Sequence, residues 1–225
     1  FTMETQTCYS EPSEDGLNVS ASTQTPGTVH EAIGAALNVP LNSVNMSVRR
    51  CGGGYGGKLG KSGIVAVTCA LAAHLLQRPV RLVMTIEENM AIVGKRAGCL
   101  YNYVAGVDDN GVIQKLQIDY YQDDGATKND SIAAYSLHYL NNIYDTSTWS
   151  VNGYGVKTDL PSQTWCRSPG STEAISAIET IMEHISRVVK KDPIEVKLAN
   201  KLQDDSPITA LMNDLKKSAD FEMRV

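Results

Sequence analysis

The stretch RRCGGGYGGKLGKSG, Arg49 to Gly63, sets five glycines within six residues around Tyr55 and follows them at once with Lys58. Glycines remove the side chains that would hold a ligand away from the backbone, and successive N–H groups in such a turn form a concavity that favours anionic oxygen. Two phosphate motifs fit. Gly52-x-x-x-x-Gly57-Lys58 matches most of a P-loop, and Gly52-x-Gly54-x-x-Gly57 matches a dinucleotide fingerprint. A P-loop needs Ser or Thr after the lysine to hold magnesium, and Leu59 stands there. The fingerprint wants an acid about 20 residues on, and Glu87 lies well beyond that. A third reading is a tight turn where backbone passes close to backbone. A stand-alone nucleotide-binding module using residues 52–58 is therefore one function open at this point.

The other residues with chemical potential are dispersed. His30, His74, His138 and His184 form no cluster, and two of them fall inside helical stretches. Cys8, Cys51, Cys69, Cys99 and Cys166 are odd in number and never spaced as C-x-x-C, which indicates neither a disulfide framework nor a zinc site of protein ligands. A reducing, cytoplasmic setting follows as the expectation.

The elements around the glycines are legible in outline. Leu17–Ala21 is a short strand entered through Glu14-Asp15-Gly16. Thr28 with Glu31 makes a capping-box pattern ahead of a helix carrying Val29, Ile33, Ala36 and Leu37, stopped by Asn38 and Pro40. Val44, Met46 and Val48 alternate with polar residues into the glycine stretch, the period of a half-buried strand. Ile64 to Leu76 reads as a buried helix and Val80 to Ile86 as a strand. Leu100–Val107 and Val112–Tyr121 flank Asn110-Gly111, a hairpin signal. Residues 122–163 read as an irregular polar stretch. Ile175, Ile178, Met182, Ile185 and Val189 mark an amphipathic helix, and Asp192-Pro193-Ile194-Glu195 opens another. The fold class is α+β, a mixed α/β order of elements. Residues 1–125 carry the strands, helices and glycine loop, and 126–225 the later loop and helices.

At 225 residues, with 42% hydrophobic residues and a net charge of −5, the chain suits one large or two small globular units. No apolar run approaches the roughly 18 residues of a membrane span. Neither nucleic acid nor membrane is an expected partner, and there is no signal-peptide pattern. The chain begins at Phe1 and not Met, so it is expected to be a piece.

STQTP (Ser22 to Pro26), VRRCGGGYGGK (Val48 to Lys58), RPVRLVMTIEENM (Arg78 to Met90), KTDLPSQTWCRSPG (Lys157 to Gly170) and DPIEVKLAN (Asp192 to Asn200) together resemble the molybdenum-binding domain of the xanthine dehydrogenase and aldehyde oxidase family. The five blocks stand in the family's order and cover nearly the whole chain. Within the family the likeness is strongest to insect-type aldehyde oxidases. It implies a partial molybdopterin-binding domain from a longer, homodimeric enzyme that also carries FAD and two 2Fe-2S clusters outside this piece. The implied reaction oxidises an aldehyde to a carboxylic acid with oxygen from water. The metal is implied to have no direct protein ligand.

The resemblance also assigns residues. Gln24 matches the glutamine whose amide approaches the metal's apical oxygen, a donor that adds no charge. Gly54, Tyr55 and Gly56 match the glycine loop whose backbone lies beside the metal. Arg167 matches the arginine of a second loop, placed to meet negative charge developing on substrate oxygen. The family's general base, a glutamate, is implied to lie beyond Val225, so Glu173 and Glu179 receive no catalytic role. Xanthine-specific members have a glutamate at the position of Leu59 and an arginine at that of Tyr135, and a substrate-sandwiching aromatic at that of Pro169. Those departures imply a pocket for small-molecule aldehydes and not purines.

Overall fold

The computed structural model describes residues 2–130, 132–202 and 206–224. Its first half is built on a sheet of four strands. β1 (Thr7–Ser13) and β2 (Gly16–Ala21) form a hairpin with Ser13 opposite Gly16; α1 (Pro26–Leu37) then leads through a short turn at Leu41–Ser43 to β3 (Val44–Ser47). After the glycine loop, α2 (Gly60–Leu76) returns the chain to β4 (Val80–Val83). The order is β3-β2-β1-β4, with β2 and β3 parallel and the other pairs antiparallel. Alternate residues of the hairpin, Cys8, Leu17, Val19 and Ala21, face Val29 and Ile33 of α1 and Val65, Ala66, Cys69, Ala70 and Ala73 of α2. The small residues of α2 let that helix lie close on the sheet, which close packing of an interior requires.

α3 (Ile86–Ile92) joins this layer to a second sheet, β5 (Cys99–Val107), β6 (Ile113–Gly125) and β7 (Trp149–Lys157). β5 and β6 are antiparallel, whereas β6 and β7 are parallel. A parallel pair needs a crossover, and α4 (Ala133–Tyr139) lies in it. Across one face runs α5 (Ser171–Val189), whose Ala174, Ala177, Ile178, Ile181, Met182 and Ile185 form a helical stripe against Leu116, Ile118 and Tyr120. α6 (Pro193–Ala199) closes this core with Val196. α7 (Ile208–Ser218) and α8 (Phe221–Arg224) follow. None of the helices is long and apolar enough to cross a membrane, among the described residues.

Several elements differ from the sequence reading. α1 starts at Pro26, two residues before the expected cap, and Thr28 and Glu31 form no capping box; proline at the first turn sets the start instead. A true capping box opens α3, where Thr85 Oγ1 accepts from Glu88 N and the Glu88 carboxylate accepts from Thr85 N. That helix takes Ile86 away from the expected strand. The stretch 122–163 is not irregular throughout: it holds the end of β6, α4 and β7. The β5–β6 hairpin packs with the second core, because Leu116, Ile118 and Tyr120 need the apolar face of α5 to cover them, whereas the sequence grouped it with the first part.

Candidate active site

Three stretches far apart in sequence meet between the two layers. The first is the turn after β2. There Gln24 N donates to Lys58 O at 2.9 Å, and Gln24 Oε1 accepts from Gly56 N at 2.9 Å and Lys58 N at 3.3 Å. Because both partners of Oε1 are N–H donors, the side-chain amide has one orientation, with its NH2 on the far side of an exposed residue. Among the described residues that NH2 has no acceptor. The glycines explain why the loop lies so close. A Cβ on Gly54 would stand 2.4 Å from Gln24 Cδ, and one on Gly56 2.3 Å from Trp165 O.

The second stretch is the glycine loop itself. Gly53, Tyr55 and Gly56 take positive φ values of 95°, 51° and 93°. Tyr55 is a non-glycine residue in the left-handed region, a strained conformation that neighbouring contacts must hold. Its ring is 57% exposed, so it is not the core aromatic that a buried tyrosine would be. The backbone N–H groups of Gly53, Gly54 and Tyr55 find no acceptor among the described residues, and successive free amides of this kind suit an anionic or strongly polar oxygen.

Lys58 is used internally. Its side chain is 1% exposed, and Nζ donates to Ser22 Oγ at 2.8 Å and pairs with Glu4 Oε2 at 3.4 Å. The same carboxylate oxygen accepts from Gly52 N. A P-loop lysine must reach phosphate, so this arrangement argues against the nucleotide-module reading of residues 52–58. The dinucleotide reading loses its frame too: β3 and β4, the strands on either side of α2, sit at opposite edges of the sheet with β2 and β1 between them.

Glu4 makes this anchor sensitive to acid. Burial works against its charge, but hydrogen bonds from Ser22 and Gly52 and the Lys58 charge outweigh that and hold the carboxyl below its ordinary value of about 4.5. A lowered folded value means the stabilisation is complete above the unfolded value and is lost as pH falls through the folded one. Melting temperature measured from pH 6 downward is therefore expected to fall more steeply below about pH 4.5 in wild type than in Glu4→Gln. Parallel curves would remove Glu4 from this role.

The third stretch, Ser162–Gly170, docks on the glycine loop through Arg167 N, which donates to Tyr55 O at 2.9 Å. Arg96 enters from the segment after α3. Its Nη2 donates to Arg167 O at 2.5 Å and its Nη1 to Glu173 Oε1 at 2.8 Å. Burial opposes the Arg96 charge, but the Glu173 hydrogen bond and charge outweigh it and hold the guanidinium above its usual range. The Arg167 side chain is exposed and has no carboxylate partner among the described residues. A narrow cleft of about 70 Å³ lies beside the glycine loop, lined in part by Gln6, Tyr55, Lys58, Thr164, Trp165 and Cys166.

Leu59, Tyr135 and Pro169 do not line that cleft. Leu59 is half-buried at the N-cap of α2; Tyr135 is 46% exposed with its ring edge-on to Trp165 at 5.2 Å; Pro169 is half-buried in the third stretch. Sequence reasoning missed Glu4, Gln6 and Arg96 and set Glu173 aside, because pairing across such distances leaves no periodicity to read.

A group rich in polar oxygens fits this donor set: Gln24 NH2, the free loop amides and the Arg167 guanidinium are all donors, and the absent Cβ atoms of Gly54 and Gly56 keep the loop packed. Comparison with known proteins agrees. The chain matches the family described as molybdopterin cofactor-binding domain over residues 1–201. It is 37% identical over 202 residues to indole-3-acetaldehyde oxidase of Arabidopsis thaliana, covering 89% of this chain and 15% of that protein. Xanthine dehydrogenase of Oryza sativa subsp. japonica is 30% identical, with 98% and 17% covered, and that of Drosophila subobscura 32%, with 89% and 15% covered. The chain thus spans less than a fifth of the length of these curated relatives. Among solved structures, reconstituted CO dehydrogenase from Oligotropha carboxidovorans superposes with a TM-score of 0.84 at 19% identity, over 99% of this chain and 30% of that one. Aldehyde oxidoreductase from Desulfovibrio gigas gives 0.80 at 15% identity, over 97% and 25%. The match along most of its length, laid over a loop geometry that suits such a ligand, means that this chain belongs to the molybdopterin cofactor-binding domain family of the molybdenum hydroxylases.

Proposed function

We propose that this chain is the part of a molybdenum-dependent aldehyde oxidase that holds one side of the cofactor and the substrate oxygen. The observation that carries the proposal is the linked set Gln24–Gly56 and Tyr55–Arg167, which brings together a neutral amide donor, loop N–H groups with no acceptor among the described residues and the main chain of Arg167. Bound molybdopterin supplies the two-electron acceptor and the site of oxygen transfer in the balanced change from aldehyde and water to carboxylic acid, two protons and two electrons. The residues of this chain do the rest by position. Gln24 donates from its NH2 without adding charge. Arg167 meets negative charge as it grows on the substrate oxygen, a preorganised contact that strengthens along the reaction. Leu59, Tyr135 and Pro169 lie outside the cleft beside the glycine loop, and in the complete enzyme they would border the aldehyde's tail and offer no charged group to pair a purine edge. In the complete enzyme 2Fe-2S clusters and FAD would carry the electrons onward, the assembly would be a cytoplasmic homodimer, and a glutamate from another part of the protein would act as general base.

The test separates holding from chemistry in the complete enzyme. Gln24→Ala is expected to lower molybdenum content or alter the centre's spectrum. Arg167→Ala should keep the metal and lower the single-turnover reduction rate by about a hundredfold, the scale of removing one charge-stabilising donor. An Arg167→Ala enzyme with full metal and wild-type reduction rate would falsify the role assigned to that residue.

A further inference from the structure

The Arg167 peptide is gripped from both sides. Its N–H is taken by Tyr55 O at 2.9 Å and its C=O by Arg96 Nη2 at 2.5 Å. The other arm of the Arg96 fork holds Glu173 Oε1 at 2.8 Å. Glu173 sits in the first turn of α5, where a carboxylate is favoured by the helix dipole, but a surface acid would serve that purpose equally. This one is 4% exposed at its side chain, and its Oε2 has no partner among the described residues. Burying a carboxylate that is only half satisfied is costly unless its charge is matched, and Arg96 is the cation that matches it.

The residue after Arg167 adds to the case. Ser168 has φ 59°, a left-handed conformation that a serine keeps only where surrounding contacts impose it. Arg96 supplies such a contact on the carbonyl immediately before it. Two planar nitrogens in a fixed fork reach both acceptors at once, which a single ammonium cannot reproduce.

On the reading of Arg167 given above, we infer that Arg96 and Glu173 are positioning residues: Glu173 fixes Arg96 on the rigid start of α5, and Arg96 fixes the Arg167 main chain, so that the exposed side chain extends from a fixed backbone position. Neither touches substrate. Arg96 lies 71 residues from the carbonyl it holds and 77 from its carboxylate partner, so the pair staples the segment after α3 to the third stretch of the site.

The experiment uses the complete enzyme and the variants Arg96→Gln, Arg96→Lys and Arg96→Ala. Amide hydrogen exchange of residues 163–170 is measured beside molybdenum content, kcat and KM. Arg96→Gln is expected to speed exchange across this stretch by about ten- to a hundredfold, the scale of losing a charge-assisted hydrogen bond, and to lower kcat by about tenfold or more at full metal content. Arg96→Lys, which keeps the charge opposite Glu173, should fold and bind metal as wild type does while showing part of both effects. Guanidinium ion added to Arg96→Ala should restore part of the lost protection, which a merely structural cavity would not do. Wild-type exchange of residues 163–170 in both Arg96→Gln and Arg96→Lys overturns the inference, as does faster exchange with unchanged kcat. Failure of the Arg167 role itself is read from a different variant, Arg167→Ala, and is therefore distinguishable.

Discussion

Gly56→Ala is expected to dismantle the site while leaving both cores folded. The new Cβ would stand 2.3 Å from Trp165 O and 2.6 Å from Trp165 C, backbone atoms that cannot rotate aside as a side chain would. The carbonyl is held on both flanks, by Thr164 N donating to Lys95 O and Arg167 N donating to Tyr55 O, so the two loops must separate. An alanine at φ 93° costs about 1–3 kcal/mol in backbone strain. The hydrogen bonds of Gly56 to Gln24 and of Arg167 to Tyr55 each add about 1 kcal/mol when broken. In the complete enzyme the variant should keep little molybdenum and show rapid amide exchange across residues 52–58 and 163–170, with the helices of both cores still protected. Gly63→Ala is the control: it lies inside α2 with nothing within 4 Å of its Cβ position, and should be neutral or stabilising by up to about 1 kcal/mol. Wild-type metal content in Gly56→Ala would show that the loops are not held as described.

The second large effect concerns substrate choice. In the pocket proposed for the complete enzyme, the polar edges of xanthine would be desolvated where Leu59 offers no hydrogen bond and Tyr135 only a neutral hydroxyl. An unpaired polar group costs about 1–3 kcal/mol, so two missing partners lower the specificity constant on the order of a hundredfold or more relative to a site that has them. Aldehydes avoid this loss because an apolar tail asks for no partner. The complete enzyme should therefore oxidise benzaldehyde well and xanthine poorly, and Leu59→Glu with Tyr135→Arg should shift the ratio of specificity constants toward purine. The second substitution keeps a neighbour, since a guanidinium at position 135 can stack against the Trp165 ring that Tyr135 now meets at 5.2 Å. A wild-type ratio favouring xanthine would sink the aldehyde assignment and leave the family untouched.

Much of the scaffold was legible because its signals are local. The alternation of Leu17, Val19 and Ala21, the stripe of α5 and the Asp192 cap of α6 all act within a turn or a few residues, and the Asp192 carboxylate does accept from Ile194 N and Glu195 N. β1 was not legible, since Glu11 and Pro12 break the pattern of a strand that is held by β2 and β4 on either side. β7 was hidden for a related reason. Gly153 and Gly155 weaken it as a strand, and parallel pairing to β6 supplies what propensity does not. The capping box of α3 was present in Thr85 and Glu88 but lay directly after an apolar run that reads as strand. For the proposed site, Gln24 and Arg167 were assigned through the family's motifs and not through spacing. The Lys58–Glu4 pair shows the limit: as a sequence the lysine looks like a phosphate ligand, and only burial beside Ser22 and Glu4 reveals it as an internal strut.

The tie between Tyr55 and Arg167 has a kinetic meaning as well. Each core closes over contacts that are mostly nearer in sequence, such as the β1–β2 and β5–β6 hairpins, and such contacts form early because little chain entropy is lost. The bond from Arg167 N to Tyr55 O must wait until both layers exist, so the proposed site is expected to be the last part of this region to assemble and the first to open. A newly made chain would thus pass through a stage in which two finished sheet-and-helix layers flank an unformed seam. Whatever enters the site has its widest access during that interval, before the seam locks.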